Sequence, residues 1–120
     1  MSAVRYPELV PNRKFPVSGK GLWSTLYGYF ALEPDAKTVR GITFYQHGET
    51  PGLGAEIEKD WFQSKFAGKK LFESGQPTEF RVTKPGSASG DYAVDGISGA
   101  TLTAKGVESL LRHDAALYAG

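Results

Sequence analysis

The sequence has no cysteine and only two histidines, His47 and His113. The first absence removes disulfides, thiolate nucleophiles, iron–sulfur ligands and cysteine-based zinc sites together, and it fits any redox compartment. The histidines lie far apart with no carboxylates at ligand spacing, so no metal site is expected. No run reaches the roughly 18 apolar residues that cross a bilayer, and no signal peptide is legible. Charge of one sign is also missing: 14 Lys and Arg stand against 13 Asp and Glu, for a net +1. The basic residues are scattered, which argues against a nucleic-acid partner. What is present is 120 residues, 40% hydrophobic and 12% aromatic. That composition describes one ordinary globular domain, long enough to bury a core.

Residues 1–20 are rich in proline and basic residues (Pro7, Pro11, Pro16, Arg13, Lys14) without sustained periodicity. They read as an extended lead-in, and the domain proper as residues 21–120. The start, Met1-Ser2-Ala3 running straight into Val4-Arg5-Tyr6-Pro7, reads as a start placed inside something longer. Leu22 to Leu32 is the strongest strand signal, with apolar or aromatic residues on both parities, as in a strand covered on two faces. Glu33-Pro34-Asp35-Ala36-Lys37 reads as a turn, and Thr38 to Gln46 as the returning strand of a hairpin. A glycine-rich loop, His47 to Gly54, leads into an amphipathic helix predicted over 55–66. Its Ile57, Trp61, Phe62 and Phe66 fall at helical spacing, and Gly68 ends it. Short strands are predicted over 69–72, 79–83 and 92–94, and a last helix from near Thr103 to Tyr118. The fold class is α+β: a twisted, mainly antiparallel sheet with packed helices.

The segment Asp95-Gly96-Ile97-Ser98-Gly99-Ala100-Thr101 leaves a strand and enters the last helix. Small residues let a ligand approach the backbone closely, and free N–H groups at a helix N-terminus favour a phosphate. Gly99 and Ala100 keep that approach clear. Lys105, one turn beyond Thr101, is placed to neutralise the charge of a phosphodiester. The plainer alternative is a loop in which Ser and Thr cap a helix. No base stands ready to activate the Thr101 hydroxyl, so a self-sufficient nucleophile is not indicated.

Three separated stretches carry a resemblance in the same order: Gly19-Lys20-Gly21-Leu22-Trp23, Gly48-Glu49-Thr50-Pro51-Gly52-Leu53-Gly54, and Asp95 to Thr101 followed by Leu102-Thr103 and Gly106-Val107. The third matches the flavinylation motif of FMN-binding domains. Together they resemble the branch formed by the C subunits of the bacterial sodium-translocating NADH:quinone oxidoreductases, over essentially residues 10 to 110. The resemblance implies FMN esterified through its phosphate to Thr101. It implies a separate flavin transferase that uses FAD and magnesium and releases AMP, with Asp95 read by that enzyme. It also implies an electron relay within a membrane respiratory complex, from NADH towards ubiquinone with sodium export, whose other subunits are its partners. An N-terminal transmembrane helix and a place on the periplasmic side of the bacterial inner membrane are implied as well. The related ferredoxin-oxidising complex, or a flavin-free ligand-binding or assembly module, are the alternatives.

A flavin ring needs a flat apolar surface and polar contacts at its edge. Leu53 is the candidate for the ring face, and Thr50 with the backbone of Gly52 and Gly54 for the edge. Gly21, Leu22 and Trp23 form the candidate stacking segment, Trp23 being equally suited to core packing. Glu49 is read either as a cofactor contact or as a residue orienting the loop. Ser98, Gly99, Ala100, Thr103 and Lys105 complete the expected cofactor-binding set. Trp61, Phe62 and Phe66 are assigned to the core, and His113 to a solvated helix face.

Overall fold

The computed structural model describes residues 14–119. The lead-in expected over residues 1–20 falls for its first 13 residues outside the described residues, and its remainder is a strand of the sheet. That strand, β1 (Lys14–Lys20), pairs antiparallel with β2 (Thr25–Leu32), which pairs antiparallel with β3 (Val39–Gln46). Proline and lysine hide β1 in the sequence. Pro16 is tolerated because β1 lies at the sheet edge and Pro16 faces outward, where its carbonyl accepts the Tyr118 hydroxyl at 2.6 Å. Beside it, Ser18 N–H donates to Asp114 Oδ2 at 2.9 Å. Helix α2 (Thr101–Ala119; α1 is a short helix described below) thus closes the edge with side chains in place of a fourth strand.

The β2–β3 hairpin turns as expected, around Asp35. Its carboxylate accepts the N–H groups of Lys37 and Thr38 and the Thr38 hydroxyl. The sheet departs from expectation in having one covered face. Phe15, Val17, Leu26, Phe30, Ile42 and Phe44 are buried, and on α2 so are Val107, Leu110, Leu111 and Ala115. On the other face Tyr45 is 60% exposed, with Tyr27 partly open beside it. Tyrosine tolerates that position because its ring packs sideways while its hydroxyl stays wet: Tyr29 lies 6.2 Å from Tyr45, with Lys14 Nζ 4.7 Å above it.

The single helix expected over 55–66 is three short pieces: a 3-10 turn (Gly54–Glu58), α1 (Asp60–Gln63) and a second 3-10 turn (Ser64–Phe66). Lys59 breaks the run, with extended backbone at φ −86° and ψ 149°. The break keeps Ile57, Phe62 and Phe66 in the core but turns Trp61 outward, correcting its core assignment. Trp61 Nε1–H donates to Glu56, and Lys65 Nζ lies 4.6 Å over its ring.

Beyond these come β4 (Phe72–Glu73) and β5 (Gln76–Pro77), an antiparallel pair, and β6 (Arg81–Thr83) with β7 (Ala93–Asp95), a parallel pair. The strand expected over 69–72 is reduced to β4 and an isolated bridge between Thr38 and Lys70. Helix α2 rests on both β1 and β6. Its N-terminus is therefore fixed between the hairpin sheet and the parallel pair.

Candidate functional site

Helix α2 begins on Thr101. The turn before it is closed by Ala100 N–H to Ile97 carbonyl at 3.0 Å, with Gly99 at φ +78°. That left-handed position is where a side chain would strain the backbone. The residue preceding the helix is Ala100, so neither Ser98 nor Thr103 caps it. Among the described residues no backbone carbonyl or side chain takes the N–H groups of Thr101, Leu102 or Thr103. Thr101 and Leu102 are exposed, while Ile97, Ala100 and Ala104 anchor the turn in the core. The hydroxyl is thus presented to solvent on a rigid mount, next to unsatisfied donors.

Glu49 organises this end of the molecule. Its carboxylate is buried, and Oε1 accepts Leu22 N–H at 2.8 Å and the Thr103 hydroxyl at 2.7 Å. Oε2 accepts Trp23 N–H at 3.0 Å and the Ser24 hydroxyl at 2.7 Å. Burial pushes its pKa up, but the hydrogen bonds from Thr103, Ser24, Leu22 and Trp23 outweigh it and hold the value at about 2. Glycine makes room for this arrangement. A Cβ on Gly21 would lie 2.8 Å from Glu49 Oε1, and one on Gly54 would lie 2.5 Å from Thr103 Oγ1. Glu49 and Thr103, both expected among the cofactor-binding residues, use their polar atoms on each other.

The loop from His47 to Gly54 is equally committed. His47 Nδ1 accepts Glu49 N–H at 3.1 Å, so the neutral ring carries its proton on Nε2 and donates it to Glu58 at 2.7 Å. Gly48 N–H goes to Ser24 Oγ, and Thr50 carbonyl accepts the N–H groups of Leu53 and Ala55. Thr50, Gly52 and Gly54 keep their N–H groups without an acceptor among the described residues. Leu53 is 44% exposed and touches Gly99: its Cδ2 would be 3.2 Å from a Cβ there. Leu22 is also open, and Trp23 is 70% exposed, which decides against core packing for that ring.

A second feature opens on the opposite face of α2. The helical period puts Thr101, Ala104, Lys105 and Glu108 on one side and Thr103 and Leu110 on the other. The first group lines a cleft of about 440 Å³ together with β6 and the loop after it. Arg81, Lys84 and Lys105 stand at this cleft. Glu108, its acid, has Oε2 taken by Val82 N–H at 2.9 Å. Asp95 accepts Ala88 N–H at 2.9 Å. That bond, ahead of weaker ones from Gly86 and Ser87 and the attraction of Lys65, lowers its pKa. Sequence reading missed Ser24, Arg81 and Lys84, because nothing in their spacing marks them.

Over residues 21–114 the chain matches the family described as FMN-binding domain. The chain belongs to that family. It is 49% identical over 98 residues to the C subunit of the Na(+)-translocating NADH-quinone reductase of Haemophilus ducreyi, a match over 82% of this chain and 38% of the relative. With the C subunit from Yersinia pestis it shares 52% over 96 residues, 78% of this chain and 36% of the relative. The crystal structure of Shewanella oneidensis NqrC superposes with a TM-score of 0.74 at 44% identity, over 81% of this chain and 45% of that one. The crystal structure of the corresponding Parabacteroides distasonis protein gives 0.77 at 45% identity, over 87% and 52%. This FMN-binding domain thus spans little more than a third of the curated relatives it matches.

The donor set fits the family's flavin. A flavin mononucleotide needs a phosphate anchor, an apolar surface and edge donors. Thr101 with its free N–H groups, the open side chains of Leu22, Trp23 and Leu53, and the free N–H groups of Thr50, Gly52 and Gly54 would be the residues to supply these around the start of α2. Among the described residues no group of three or more metal-ligating side chains is present, and no helix is long and apolar enough to cross a membrane.

Proposed function

We propose that this FMN-binding domain carries its flavin covalently, through a phosphodiester to Thr101 Oγ1, and relays electrons within a sodium-translocating NADH:quinone oxidoreductase. The observation that carries the reading is the exposed Thr101 hydroxyl. It stands at the start of a 19-residue helix, beside unsatisfied N–H groups and open apolar side chains. When bound, FMN supplies reversible electron transfer; everything else falls to the chain.

Leu53 and Trp23 would shield the ring faces, and the free N–H groups of Thr50, Gly52 and Gly54 would meet the polar edge. The N-terminus of α2 and Lys105 offset the single negative charge of the diester. Among the described residues no base is hydrogen-bonded to Thr101, in keeping with attachment by a separate flavin transferase. In that step Thr101 Oγ1 attacks the riboflavin-side phosphorus of FAD and forms a new O–P bond. The bond to the bridging pyrophosphate oxygen breaks with its electron pair going to AMP. The hydroxyl proton passes to a base of the transferase.

Neighbouring subunits of a membrane complex, on the periplasmic side of a bacterial inner membrane, would then be the electron partners. The test is co-expression with a flavin transferase, read by intact mass and visible absorption. The expected result is a mass gain of one FMN less one water, with yellow colour. An unchanged mass would sink the covalent reading.

A further inference from the structure

The cleft on the Thr101–Lys105 face of α2 is not needed to seat the flavin ring, since the open apolar side chains gather on the Glu49 side. Its chemistry is nevertheless one-sided. Among the described residues, the side chains of Arg81, Lys84 and Lys105 make no ion pair and no hydrogen bond, in a chain whose net charge is only +1. One carboxylate, Glu108, shares the cleft against these three cations. Glu108 holds Val82 N–H, and Asp95 holds Ala88 N–H. The Asp95 contact has a further effect: it pins the 86–88 loop, and with it the placement of Lys84 relative to Thr101. The cations are presented, not merely present.

We propose that this cleft docks an acidic surface of the enzyme that loads Thr101. The inference rests on the covalent-flavin reading above. Two facts favour a protein surface over a small anion. The three cations are exposed and spread over β6, its following loop and α2, where a single ion would need converging donors. Between them the cleft is floored by Val82, Ile97 and Ala104, an apolar base suited to a partner's backbone and side chains. Charge complementarity selects the occupant. A donor site holding FAD presents a pyrophosphate and the carboxylates that bind its divalent cation. An acceptor with unpaired cations beside its hydroxyl is drawn to such a site and oriented by it. The motif's aspartate then acts through the loop it holds, as a positioning residue for Lys84.

The experiment uses the whole chain, a flavin transferase, FAD and Mg²⁺, following adduct formation by in-gel flavin fluorescence against chain concentration. Arg81→Glu with Lys84→Glu should raise the KM for the chain about tenfold and leave kcat within about twofold, because long-range charge governs encounter more than chemistry. Arg81→Lys with Lys84→Arg should restore the wild-type KM. Raising salt from about 50 to 300 mM should raise the wild-type KM and barely move that of the double reversal. Direct binding in a Thr101→Ala background, where no turnover occurs, should weaken in parallel. If the wild type is labelled and the reversals leave KM and binding unchanged, the docking proposal falls alone. If kcat falls with KM constant, the cations act on the transferred phosphate, and docking is again overturned. If the wild type is never labelled, the covalent reading itself fails and takes this one with it.

Discussion

Glu49 Oε1 accepts the Thr103 hydroxyl at 2.7 Å across 54 residues of sequence. The same carboxylate holds Leu22, Trp23 and Ser24, so one buried charge joins three motif segments far apart in the sequence. Replacing Glu49 by Ala strands two hydroxyls and two N–H groups in a buried place. A loss of about 3 kcal/mol is expected in denaturant unfolding.

The acid dependence follows from the same contacts. The folded-state pKa of about 2 lies below the ordinary 4.5. The stabilisation is therefore fully present above about pH 4.5 and is lost as pH falls through about 2. A difference of that size corresponds to about 3 kcal/mol. Glu49→Gln should flatten the stability curve across that window, and an unaltered acid limb would refute the assignment.

Thr101→Ala should abolish the mass gain while shifting unfolding stability by less than about 0.5 kcal/mol, since the side chain is exposed and caps nothing. Thr101→Ser keeps the hydroxyl and should still be labelled. A labelled Thr101→Ala protein would place the attachment elsewhere.

Gly106 separates helix propensity from packing. Alanine there gains about 1 kcal/mol of helix propensity. Its methyl would run into the Lys20 carbonyl, with Gly21 Cα at 3.1 Å. Backbone cannot yield cheaply, so Gly106→Ala should lower stability by about 2 kcal/mol despite the better propensity. Gly41→Ala, which meets nothing within 4 Å, is the control and should cost nothing. Thermal melts of the two variants decide the matter.

Trp23 is exposed and contributes its backbone to Glu49, so Trp23→Ala should change stability little. With flavin attached, removing the indole removes a nearby quencher. The fluorescence of the adduct should rise, and an unchanged yield would move Trp23 away from the ring.

The hairpin was legible because Val39, Ile42 and Phe44 alternate and Asp35 builds its own turn. The last helix was legible from Val107, Leu110, Leu111 and Ala115, and the Thr101 motif only through its resemblance to a family motif, since its small residues alone fit a capped loop equally well. β1 was not, since a proline edge strand has no local signature until α2 closes the edge. The break at Lys59 was equally silent: the spacing of Ile57, Phe62 and Phe66 fits one helix, and only competition for the core turns Trp61 out.

By itself the sequence determined which cysteine chemistries were closed, where small residues lead a hydroxyl into a helix, and where the hairpin and final helix run. These are local properties, set by side-chain type and spacing along a few residues. Only the tertiary structure decided that Glu49 faces Thr103 and Ser24, that Asp95 holds the 86–88 loop, and that Arg81 and Lys84 stand beside Thr101. Those relations join residues far apart in the chain, and a buried carboxylate finds its donors only when the packed core brings them within hydrogen-bonding reach.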